Sequence, residues 1–137
     1  MKNAILALGM LLGLNAHATG GFSCEYEKDG LTFTVGGVTS HGFASAVVEA
    51  GAEIKGKNLD QVFKREDMKQ YWNAGEEFRA TFYAEKELPT TYEYTQATVM
   101  TKMNLRDLRY YGTMTIEGSR NGNALPSENH NIVCDVE

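Results

Sequence analysis

Residues 76–116 constrain the fold more than any other part of this chain, because three alternating apolar runs there can be laid against one another in a single register. In EEFRATFYAEKEL, Phe78, Ala80, Phe82 and Ala84 fall on one side and Arg79, Thr81, Tyr83 and Glu85 on the other, the two-residue period of a half-buried strand. A turn at Leu88-Pro89-Thr90-Thr91, with Leu88 facing Thr91, sets Phe82 opposite Ala97, Ala80 opposite Val99 and Phe78 opposite Thr101. Large side chains then meet small ones across one face. A second turn at Leu105-Arg106-Asp107-Leu108 sets Met103 opposite Tyr110, Val99 opposite Met114 and Ala97 opposite Ile116, on that same face. A slip of one residue at either turn would send every apolar side chain to the other side, so agreement across both turns predicts an antiparallel meander with a defined inner surface.

The same phase leaves Tyr83, Tyr92 and Tyr94 on the outer face of the first hairpin, among Glu85, Glu87 and Glu93. Two readings are open. Aromatic residues are favoured in strands whatever their role, so these tyrosines are accounted for if another segment covers them. Left uncovered, they form an aromatic surface suited to binding a partner.

The chain begins with MKNAILALGMLLGLNAHA, in which one lysine precedes an apolar run from Ala4 to Leu14 and then Ala16-His17-Ala18. That is the layout of a secretory signal cleaved after a small residue, here after Ala18. The apolar run falls short of the ~20 residues a spanning helix requires, and no later stretch approaches it, so no membrane span is expected. Gly21-Phe22-Ser23 ahead of Cys24 lacks the aliphatic residue that would mark a lipidated cysteine. Residues 19–137 are then 119 in number, the size of one β domain. Without Lys2 they carry 12 basic and 18 acidic side chains, a net charge of −6, which opposes nucleic-acid backbones and acidic lipid surfaces.

Export gives meaning to the cysteine count, since the only two, Cys24 and Cys134, lie near opposite ends of the mature chain in an oxidising compartment. Cys24 is in phase with Phe22 and Tyr26, and Cys134 with Ile132 and Val136. Each sits on the apolar side of a short terminal strand, and a disulfide between neighbouring strands is expected. A metal or redox pair is disfavoured, because two isolated thiols without nearby histidines or a CxxC spacing do not build such a site.

The most specific local signal is Phe22 to Val38. Two alternating runs flank Asp29-Gly30, the residues of a two-residue hairpin turn with positive φ. Residues 43–54 read as a further strand with Ala44, Ala46, Val48, Ala50, Ala52 and Ile54 on one face, and with Gly51 as the expected bulge or bend. Residues 58–75 favour a short helix, with Asn58 as cap, Gln61 three residues on and Leu59, Val62 and Phe63 at helical spacing. Tyr71 and Trp72 are the counter-signal for a strand. Residues 118–131, GSRNGNALPSENHN, read as a surface loop or loose hairpin.

Chemical motifs are absent: the chain has no Gly-rich phosphate loop, GxSxG elbow, HExxH or calcium-loop pattern. No motif is specific enough to tie it to a family. His41 and His130 read as surface histidines. The adjacent carboxylates Glu66-Asp67 and Glu76-Glu77 point in different directions on any regular element, so they read as solvated charge rather than an acid–base pair. No catalytic residue, metal ligand or cofactor is assigned.

The expectation is therefore an all-β domain, a small antiparallel barrel or sandwich of about seven or eight strands with one short helix. The leading function is an exported, periplasmic or secreted, non-enzymatic domain that binds a protein or small ligand through Tyr83, Tyr92 and Tyr94 or through the 118–131 loop. The alternatives are an enzyme, an enzyme accessory or inhibitor subunit, or a structural component of an envelope assembly.

Overall fold

The computed structural model describes residues 20–40, 46–56 and 58–137. The segment read as a secretory signal, His41 and Ala44 lie outside the described residues. The chain forms β1 (Gly20–Lys28), β2 (Leu31–Thr39), β3 (Val47–Lys55), β4 (Asp60–Phe63), β5 (Met68–Ala74), β6 (Glu77–Glu87), β7 (Tyr92–Met103), β8 (Tyr110–Arg120), β9 (Asn123–Ala124) and β10 (Glu128–Val136). Every pairing is antiparallel, and the strands follow the order β4-β3-β2-β1-β10-β8-β7-β6-β5, with the two-residue β9 added to β8. The sheet curls into a nearly closed barrel whose seam lies between β4 and β5.

The sequence expectations for the first hairpin and for the meander hold residue by residue. Asp29 (φ 55°) and Gly30 (φ 79°) make the β1–β2 turn, and the ladder runs from Lys28↔Leu31 to Gly20↔Thr39. In the meander Phe82 pairs Ala97 and Ala80 pairs Val99, while Ala97 pairs Ile116 and Val99 pairs Met114. Leu88 N–H donates to Thr91 O across the first turn at 2.8 Å. Phe78, Phe82 and Met114 are fully buried. Gly37 opposes Phe22 across the β1–β2 ladder, and a side chain there would overlap the Phe22 ring, so the glycine makes room for an aromatic core residue.

Cys24 and Cys134 are bonded, with Cα atoms 4.1 Å apart, and face each other directly in the β1–β10 ladder. This bond ties the first strand to the last. The two chain ends are thus held side by side in the middle of the sheet by covalent chemistry as well as by backbone hydrogen bonds.

The helix expected over 58–75 does not form. Only one 3-10 turn, Arg65–Asp67, is helical, with β4 before it and β5 after it. Val62 is exposed and Phe63 buried, the two-residue alternation of a strand rather than a helical stripe, and Phe63 packs against Phe82 with ring centroids 5.7 Å apart and planes tilted by 46°. Local helix propensity is a weak preference. Here it yields to the unpaired backbone edges of β3 and β6, which the segment satisfies in turn.

Strand direction explains how. Counting round the sheet from β1 in both directions, β4 and β5 both run opposite to β1, so they are parallel to each other. They act as two halves of one strand. Its first half pairs with β3, its second with β6, and the 3-10 turn shifts the chain sideways between them. An all-antiparallel ring needs an even number of strand positions, and this device gives eight. Arg65 helps to bridge the break, donating from Nε and Nη2 to Val47 O of β3 at 3.2 and 3.0 Å.

Two further expectations are corrected. Val48 does not share the inner face with Ala50, Ala52 and Ile54, because Val38 pairs Glu49 while Thr39 pairs Val47. Val48 is thus the extra residue of a bulge that resets the alternation, and it is exposed, as is Ala46. Gly51 lies in regular pairing with Gly36 instead. Of the stretch expected as a surface loop or loose hairpin, residues 118–125 do form a hairpin, with Asn121 (φ 52°) and Gly122 (φ 77°) at its turn and Ser119 paired to Ala124, while residues 128–131 belong to β10.

Candidate functional site

Alternation along β6 and β7 turns Tyr83, Tyr92 and Tyr94 away from the barrel interior, and the 58–75 segment does not cover them because it is used up in the barrel wall. They form a ladder. Tyr83 and Tyr94 lie diagonally across the β6–β7 pair with ring centroids 5.7 Å apart and planes 22° from parallel, and Tyr92 follows at 6.3 Å and 27°. These are offset-stacked separations. Tyr92 is 57% exposed, and the other two are half-buried only by one another and their neighbours.

The surroundings of the ladder are polar and acidic. Tyr83 O–H donates to Glu85 Oε2 at 3.1 Å. Partial shielding from water, followed by this bond and the negative charge of Glu85, raises the tyrosine's pKa above its ordinary value. Glu85 pairs across the ladder with Tyr94 and Glu87 with Tyr92. Beside them Gln96 Nε2 donates to Glu117 Oε2 of β8 at 3.3 Å.

Glu93, grouped with this face in the sequence reading, belongs to the other side. It follows the inward phase of Thr95 and Ala97 and lines a recess at the barrel mouth with Asp60, Lys86 and Arg120, where Glu85 and Tyr94 of the outer face also reach the rim. The Arg120 guanidinium donates to Tyr94 O at 3.0 Å, Ser119 O at 2.9 Å and Thr95 Oγ1 at 2.7 Å. Glu93 Oε1 accepts from Asn121 N–H at 3.3 Å. The 118–122 hairpin therefore clamps the backbone beneath Tyr94, and Gly118 permits the approach, since a Cβ there would sit 2.7 Å from Tyr94 O. Sequence reasoning treated the tyrosines and the polar stretch as rival sites. The structure makes the second a support for the first, a link no local pattern encodes because it joins residues some 25 positions apart.

Several other titratable groups have local partners. His130 is not in a loop: it lies on β10 facing inward, packed against Tyr26 with ring centroids 4.8 Å apart and planes tilted by 45°, with Nε2 3.1 Å from Glu128 Oε2. Asp67 Oδ2 caps the 3-10 turn by accepting from Lys64 N–H at 2.8 Å, and Glu77 pairs with Arg79 at 3.0 Å. Among the described residues no three His, Cys, Asp or Glu side chains gather as a metal site, and no helix is long and apolar enough to cross a membrane. Comparison with protein-family models, curated proteins and solved structures finds no match for this chain.

Proposed function

We propose that this chain is an exported, non-enzymatic binding domain whose recognition surface is the ladder of Tyr83, Tyr94 and Tyr92. One observation carries the reading: three aromatic rings are aligned and braced on the outside of a barrel whose interior is already filled by other residues. Rings in that position add little to the core, while each offers broad apolar contact with a hydroxyl for orientation. The disulfide joining the terminal strands fits a periplasmic or secreted location.

The test is a pull-down from envelope extract with immobilised mature domain, wild type against Tyr83→Ser/Tyr94→Ser. The variant is expected to lose the captured partner while its melting temperature falls by only a few degrees, in keeping with strand-propensity changes of up to about 1 kcal/mol per residue. Capture that survives the substitution, or a collapse of the fold, refutes the ladder as the recognition surface.

A further inference from the structure

The charges around the ladder identify the class of partner it suits, an inference that rests on the binding reading above. Towards the 88–91 turn, the outer faces of β6, β7 and β8 carry Glu85, Glu87 and Glu117 together with the tyrosines, Gln96 and Ser119. All three carboxylates are exposed. The neighbouring basic residues in the chain, Lys86 and Arg120, take the inward phase and line the barrel-mouth recess, whose rim they share with Glu85 and Tyr94, and Arg120 is engaged there by three oxygen acceptors. Arg79 and Lys102 do share the outer face, but they pair with Met100 and Tyr111 towards the opposite end of the strands.

We propose that the ladder binds a cationic polypeptide segment in extended conformation, with Arg or Lys at alternate positions. The π faces of tyrosine attract cations, and the adjacent carboxylates accept the hydrogen bonds those cations donate. A neutral sugar would stack on the rings but leave the carboxylates without a counter-charge, and an anionic ligand would be repelled by them. The spacing agrees with an extended chain. Side chains on one face of a strand recur every ~6.6 Å, close to the 5.7 and 6.3 Å between successive rings. An Arg-x-Arg-x-Arg segment lying along the ladder brings its guanidiniums at the spacing of the rings, against the parts of their faces that the offset leaves open, with Glu85, Glu87 and Glu117 alongside.

The test is fluorescence anisotropy of the mature, disulfide-bonded protein with a labelled peptide, Ser-Arg-Ser-Arg-Ser-Arg-Ser, at physiological salt. The controls are an isomer with the three arginines adjacent and a peptide with glutamate in place of arginine. The alternating peptide is expected to bind most tightly and the acidic one not at all. Tyr83→Ser/Tyr94→Ser and Glu85→Gln/Glu117→Gln should each weaken binding about tenfold, the combined scale of two cation–π or charge contacts. No binding of the alternating peptide, equal binding of both arginine isomers, or binding indifferent to the tyrosine change overturns the proposal. The same variants in the envelope pull-down separate the two readings. Capture lost with the tyrosines but unchanged in Glu85→Gln/Glu117→Gln refutes the cationic partner and leaves the recognition surface standing. Capture indifferent to the tyrosines refutes both.

Discussion

Breaking the Cys24–Cys134 bond tests the architecture most directly, because the bond joins strands at opposite ends of the chain. The two residues are 110 positions apart. In the chain-entropy account, releasing a loop of that length returns about 5 kcal/mol of freedom to the unfolded state, a large share of the 5–15 kcal/mol typical of a folded domain. With an unfolding entropy of about 0.25 kcal/mol per kelvin for a chain this long, the melting temperature should fall by roughly 20 °C. Two perturbations make the comparison clean. Reduction of the wild type leaves the buried side chains in place, whereas Cys24→Ala/Cys134→Ala also trims two core positions that are at most 1% exposed. Urea unfolding followed by circular dichroism should show both forms losing stability by similar amounts, with the alanine pair slightly lower. The native β1–β10 pairing should persist in each, because that ladder also has its own backbone hydrogen bonds. A loss below about 2 kcal/mol in both would refute the reasoning, since it would mean that the terminal strands stay close even in the unfolded chain.

Two further outcomes follow from the 104–109 turn. Leu108 holds φ 58° while 66% exposed, a left-handed conformation that costs a side-chain-bearing residue about 1 kcal/mol with no burial to offset it. Leu108→Gly is therefore expected to raise the urea midpoint, and a lowered midpoint would show that the leucine is held by packing. Asp107 has its pKa lowered chiefly by the hydrogen bond from Tyr111 O–H and then by the backbone N–H of Arg109. A depressed carboxylate contributes stability that is complete above its unfolded value of about 3.9 and is lost as pH falls through the lower folded value. The stability gap between wild type and Asp107→Asn should thus be constant from pH 7 to pH 5 and close in stronger acid, and a gap that changes between pH 7 and pH 5 would assign the effect to another group.

What the sequence determined by itself is whatever adjacent or turn-linked residues encode. The β1–β2 hairpin follows from Asp29-Gly30, and the meander follows from alternation that admits one register across two turns. The disulfide follows from two cysteines in phase with the apolar faces of the first and last strands. The outward phase of Tyr83, Tyr92 and Tyr94 was legible for the same reason. Tertiary structure decided the rest, because each remaining feature depends on an edge that something distant must fill. Residues 60–74 are a strand split between two partners because the ring needs an even number of antiparallel positions, a requirement that no local propensity contains. Val48 leaves the inner face only because β2 offers one residue fewer than β3 at that point. The tyrosines remain uncovered because the segment able to cover them closes the barrel instead, and Arg120 holds Tyr94 in place only once β8 lies beside β7.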